Sequence, residues 1–195
     1  MALLRLSESV IRGIRSPLVV LAVIAGLSAR SASAQSVADE NQVKAAYLLN
    51  FARFVEWPAD VLAVSSPLII GVIGDNPLDG ALEDVLRGKS ANGHPIQLRR
   101  LRWDELLLTT CQIVFISDSD EAHLPQILKS LTGASALTVS DIGRFSLRGG
   151  MIEFRMVGNR VRFDINRKTA IAARLDISSK LLSVARALHE ESTTP

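Results

Sequence analysis

Few residues in this chain combine the type and the spacing that chemistry requires, and each group that does also has a plainer structural use. Gly71, Gly74 and Gly80, in the run GVIGDNPLDG, follow an apolar stretch as a phosphate-cradling loop would, with the amides of the next helix available to an anion. Their spacing matches neither G-x-G-x-x-G nor a Walker pattern with its Lys, so the run reads as a strand-to-helix turn. Asp75 and Asp79 lack the further oxygen ligands of a calcium loop. His94, His123 and His189 lie far apart, and none has a second His or Cys at ligand spacing. Ser117, Asp118, Ser119 and Asp120 resemble a turn and helix cap more than a nucleophile with its base, and there is no G-x-S-x-G elbow. Glu153 and Asp164 can face each other across a hairpin, but exposure is the default for such positions, and Arg155, Arg160 and Arg162 stand ready to pair with them. No catalytic, cofactor or metal-binding residue is therefore expected.

The remaining reactive or recognition-type residues point towards packing and surface contact. Cys111 is the single cysteine, which rules out an intramolecular disulfide, and its place before the apolar run Ile113 to Ile116 predicts a buried, inert thiol. Arg99, Arg100 and Arg102 form a basic run that reads as a solvated strand end. Phe51, Phe54 and Trp57 cluster near one helix end, where most of their area must enter a core; Trp57, beside Pro58, is the one placed to reach the surface. Gly149 and Gly150 serve either plain turn chemistry or a recess shaped for a ligand or partner.

The elements that must position these residues follow from hydrophobic period. Val43, Tyr47, Phe51 and Phe54 make the apolar stripe of a first helix starting near Asp39, with Lys44, Arg53 and Glu56 off its centre line and Pro58 ending it. Leu68 to Ile73 is a continuous apolar run, as a strand covered on both faces requires, and a short helix from Leu78 to Arg87 follows. Ile96 to Leu101 alternates as a strand, and Trp103 to Leu108 suits a helical turn. Ile113 to Ile116 is the next strand, Glu121 to Leu131 a helix, and Leu137 to Val139 another strand. Ile152, Phe154 and Met156, then Val161, Phe163 and Ile165, alternate around Gly158 and Asn159, which predicts a hairpin. Asp176 or Ser178 can cap a last helix in which Ile177, Leu181, Val184 and Leu188 recur. The pattern predicts an α/β domain: a mostly parallel central sheet flanked by helices, with a C-terminal antiparallel hairpin and a final helix.

The N-terminus predicts export. Arg5, Arg12 and Arg15 precede the apolar run Leu18 to Leu27, and Ala32, Ser33 and Ala34 form an A-x-A site before Gln35. Residues 1–34 thus read as a cleavable signal peptide and 35–195 as one domain in the periplasm. The run is shorter than the roughly 20 residues of a spanning helix, and no Cys at the cleavage site offers a lipid attachment point. Cleavage removes four Arg and one Glu, so the net charge of the remaining 161 residues (195 − 34) is 18 − 19 = −1 rather than +2. The basic balance of the full chain therefore gives no support to nucleic-acid binding.

Two blocks also carry a resemblance. GGMIEF, VRFDIN and LDISSKLLSVAR near the C-terminus, and KAAYLLNFARFVEWP from Lys44 to Pro58, resemble the closing and opening elements of the YfiR-like family. PLIIGVIGDNPL, GHPIQLRRL, CQIVFIS and LTVSDIGRF fit between them in order. The resemblance implies an exported regulator, not an enzyme, that binds the periplasmic part of an inner-membrane diguanylate cyclase and lowers cyclic di-GMP. An outer-membrane lipoprotein and a second copy of the chain are further partners in that picture. The best-known members carry paired cysteines, which the lone Cys111 cannot reproduce. Trp57 and the turn Gly149, Gly150, Met151 and Ile152 are the expected partner contact, an aromatic anchor and a recessed surface. A periplasmic small-molecule sensor is the rival reading, and an enzyme of unknown reaction the third.

Overall fold

The computed structural model describes residues 40–75 and 78–189; the expected signal peptide lies outside them. Helix α1 runs over 40–54 and gives way to the two-residue strand β1, Val55–Glu56. Strand β2 is Leu68–Ile73, followed by helix α2, Asp79–Leu86. A short strand β3, Ser90–Ala91, turns back into β4, His94–Leu101. Beyond a 3-10 turn at Leu106–Thr110 come β5, Ile113–Ile116, a 3-10 turn at Asp118–His123 and helix α3, Leu124–Ser130, with Pro125 in its first turn. Strand β6 is Leu137–Ser140, and a 3-10 turn at Phe145–Arg148 leads to the hairpin of β7, Ile152–Val157, and β8, Arg160–Asn166. Helix α4, Arg167–Ala172, strand β9, Asp176–Ile177, helix α5, Ser179–Val184, and strand β10, Ala187–His189, close the described chain.

Eight strands form one sheet in the order β10-β8-β7-β6-β5-β2-β4-β3, while β1 and β9 pair apart from it. The pairs β4-β2, β2-β5, β5-β6, β6-β7 and β8-β10 are parallel, and β7-β8 is antiparallel. Alternation along the inner strands divides the core between the two faces. Ile113 and Phe115 join Phe51, Leu82 and Leu181 on the first face; Val114 and Ile116 join Leu124, Ile127 and Phe145 on the second. This is the expected mostly parallel α/β sheet with its C-terminal hairpin and final helix.

Several local expectations are corrected. The buried face of α1 is carried by Ala45, Leu48, Phe51 and Ala52, whereas Val43 is exposed and Lys44 is buried. Apolar residues occupy so much of this helix that period alone places the stripe loosely; packing under Tyr47, Phe51, Phe154 and Phe163, whose rings lie 5.1 to 6.1 Å apart, selects the face. The last helix stops at Val184, which is exposed, and Leu188 and His189 lie in β10 alongside β8 instead. Ser178 caps α5 at Leu181, as expected of one of the two candidates. The stretch after Asn166 forms α4, with the Asn166 side chain accepting from the Thr169 amide.

Cys111 is buried, with its Sγ directed at the Leu107 carbonyl. A Cβ on Gly71 would come within 2.9 Å of that sulfur, so the strand needs glycine there. Burial pushes the thiol up, against the smaller pull of Arg99 and Thr110. Cys111→Ser is expected to fold and to cost about 1–3 kcal/mol, and a thiol reagent should label native Cys111 only as fast as the protein opens. Rapid labelling of the native state, or a dimer abolished by reduction and by the substitution, would contradict a buried inert thiol.

Candidate functional site

The expected contact residues divide between the two faces of the sheet. Trp57 is half-buried against the first core, and its indole N–H donates to the Gln112 carbonyl at 3.1 Å. That oxygen also accepts from the Leu137 amide, while the Gln112 side chain accepts from Ile69 N–H at 2.8 Å. Trp57 is therefore tethered to the start of β5. Asp60, just beyond it, forms a forked pair with Arg174 at 2.7 and 3.0 Å, which holds the Asp60 carboxyl below its usual range.

The glycine turn sits on the other face. Gly149 has φ of +100° and faces Leu128 of α3, which belongs to the second core. Gly150 is buried because the Phe145 ring occupies the place of a Cβ. Met151 and Ile152 are buried as well, but in the first core, the one Trp57 packs against. Of the turn, Gly149 remains accessible, along with its neighbours Leu147 and Arg148. Turn chemistry and close packing account for these glycines.

Beside the turn is a polar hub whose burial local patterning did not suggest. Glu153 and Asp164 do stand opposite each other in the hairpin, but they are 2% and 1% exposed. Glu153 accepts from the amides of Arg144 and Ser146 at 3.0 and 3.1 Å, from the Ser146 hydroxyl at 2.7 Å and from Arg155 Nη1 at 3.0 Å. Asp164 pairs with Arg186, just before β10, and Arg155 Nε is 3.9 Å away. Its Oδ1 finds no hydrogen-bond partner among the described residues. Arg186 N–H also donates to the Phe163 carbonyl. These carboxylates thus fasten the loop after β6 and the C-terminal strand to the hairpin. Expecting them to be exposed was wrong because the covering groups come from residues 144–146 and 186, outside the hairpin itself.

The same loop is held from the first layer. Lys44, 6% exposed, pairs with Glu40 at 2.7 Å and with Asp141 at 2.8 Å. Burial alone would lower its pKa, but the hydrogen bonds that the ammonium donates to the two carboxylates, with their charge, outweigh this and raise it. Asn166 adds a third tie, donating to the Ser146 carbonyl at 2.8 Å.

A cleft of about 390 Å³ opens at the carboxyl ends of the central strands, lined by Gly74, Leu101, Arg102, Trp103 and Asp120. The chain after β2 enters the first layer and the chain after β5 enters the second, so this is a topological switch point, where open α/β sheets place ligands. The His123 ring stacks on Trp103 at 4.4 Å, with its Nδ1 3.0 Å from Asp120 Oδ1. Ser117 Oγ donates to the Asp75 carbonyl at 2.6 Å, and Ser119 Oγ accepts from the Asp75 amide at 2.9 Å. Both hydroxyls serve the turn, and Ser117 makes no side-chain cap bond. Arg100 and Arg102 pair with Glu83 and Asp104 at the exposed strand end.

The class defined by these features is a three-layer α/β domain with an appended hairpin, whose buried ionic groups lock loops and the C-terminal strand to the sheet. Residues 41–186 match the family model described as YfiR/HmsC-like. The chain belongs to the YfiR/HmsC-like family.

Proposed function

We propose that this protein is a periplasmic regulator that restrains an inner-membrane diguanylate cyclase and so lowers cyclic di-GMP. The observation that carries the reading is the family match across residues 41–186. No helix among the described residues is long and apolar enough to cross a membrane, which agrees with a regulator that acts on the exposed part of a membrane receptor. Binding the inactive receptor state more tightly than the active one shifts the population by that difference in affinity. Export through residues 1–34 places the chain on the same side as that part of the cyclase.

Trp57 is the proposed anchor on the first face, and Gly149 with its neighbours is the accessible part of the second. A deletion strain should show raised cyclic di-GMP and more surface attachment, and the rise should vanish when the cyclase is deleted too. Unchanged cyclic di-GMP in the deletion strain would sink the reading. Trp57→Ala should weaken binding to the cyclase by about 2 kcal/mol or more. Because the indole also holds the Gln112 carbonyl, Trp57→Phe is the control: it keeps an aromatic ring, though a smaller one, and loses a hydrogen bond of about 1 kcal/mol. If both variants bind as the parent does, Trp57 is not the anchor.

A small-molecule sensing role is the second reading, favoured by the cleft at Gly74, Trp103 and Asp120. It would show as a rise in melting temperature with a periplasmic metabolite extract that Asp120→Ala removes.

A further inference from the structure

The β7-β8 hairpin reaches past the end of β6, since β6 pairs only with Ile152 and Glu153 of β7. On the first face the overhang is covered by Tyr47 and Phe51 lying against Phe154 and Phe163. On the second, register aligns Arg155 with Arg162 and Val157 with Arg160. All four are exposed, Val157 at 49%. We propose that this face is a docking surface for an acidic, extended segment of a protein partner. The proposal rests on the reading of the chain as a regulator that acts by binding.

Three features support it. Arginines directly opposite each other on a sheet repel, and the carboxylates of Glu153 and Asp164, one row back on the same face, offset this at Arg155. Arg155 is drawn back to Glu153, but Arg160 and Arg162 have no ion-pair partner among the described residues. Arg160 and Arg162 alternate along one strand, about 7 Å apart, which is the spacing of successive same-side carboxylates on an extended chain. The planar guanidinium forks also suit carboxylates in pairs.

Other occupants fit less well. A second copy would bring arginines against arginines. An anionic membrane surface is generally held by clusters of about 4–8 basic residues, more than this face presents, and Val157 beside Arg160 at the hairpin tip offers an apolar contact suited to a protein.

The probes are two labelled peptides, alternating Glu-Thr and alternating Lys-Thr, and vesicles of phosphatidylcholine with phosphatidylglycerol. The parent should bind the acidic peptide, more weakly as salt rises, and should not bind the basic one. Arg160→Glu/Arg162→Glu, checked for a native circular dichroism spectrum, should lose about tenfold or more in affinity, whereas Lys89→Glu/Lys180→Glu should bind as the parent does. No binding by the parent, equal loss in the two double variants, or vesicle binding that only the arginine variant abolishes would each overturn the proposal. A complementation arm separates this proposal from the regulator reading. If deletion raises cyclic di-GMP and the arginine variant, exported at parental levels, restores it fully, the docking face is wrong and the regulator stands. If deletion raises nothing, the regulator reading fails and the peptide arm still decides the face.

Discussion

Glu153→Ala is expected to lower the stability of the domain by about 3–5 kcal/mol, one of two comparably large losses expected at the buried ionic groups. The carboxylate collects two amides, a hydroxyl and a guanidinium at 2.7 to 3.1 Å inside the protein. Removing it leaves the Ser146 donors buried and unpaired, at about 1–3 kcal/mol for each orphaned group. Relief of repulsion with Asp164, which stands opposite, offsets part of this, but Arg155 and Arg186 already balance that charge. The loss of donors therefore decides the sign. Glu153→Gln keeps the shape and one acceptor, so it should fall between parent and Ala. Urea denaturation should show the midpoints in that order, with amide exchange at Arg144 and Ser146 accelerated more than at β5. An Ala variant that melts with the parent would mean that water replaces the carboxylate without loss.

Lys44→Met is the second. The substitution keeps an apolar stem of similar length but removes the ammonium between Glu40 and Asp141. Asp141 Oδ1 is already without a hydrogen-bond partner among the described residues, so its charge would lose its main compensation. Breaking such a pair from one side costs about 3–5 kcal/mol. The pH dependence has a definite sign. The folded-state pKa of Lys44 is raised above the ordinary value of 10.5, so the stability it contributes is fully present below that value and is lost as pH rises through the folded pKa. The gap between parent and Lys44→Met should stay constant from neutral pH upward and close only in strong alkali. Denaturation of both proteins across that range would show it, and a gap that closes near neutrality would contradict the buried bridge.

Both substitutions act on the loop that follows β6, which is held from α1, from β7 and from Asn166 at the end of β8. The loop ends at Gly149, one of the accessible residues proposed for partner contact. Altered binding in either variant should therefore be compared at equal folded fraction.

Period and turn chemistry by themselves determined the succession of the main strands along the chain, the two-residue turn at Gly158 and Asn159 and, through the alternation of strands with helices, the mostly parallel sheet, because these depend on neighbours in sequence. Leu68 to Ile73 and Ile113 to Ile116 are apolar at nearly every position, short and rich in Ile and Val, as a strand covered on both faces is. Tertiary structure alone decided which side of α1 faces inward, since its apolar residues nearly encircle it and the Phe154 and Phe163 rings select the face. It also decided that Leu188 continues as a strand, because β8 offers an edge that the helical spacing of Val184 and Leu188 cannot reveal. The burial of Lys44, Glu153 and Asp164 belongs to the same class. A charged residue enters a core only where distant parts of the chain bring its partners, here Asp141 to Lys44, Arg144 and Ser146 to Glu153, and Arg186 to Asp164.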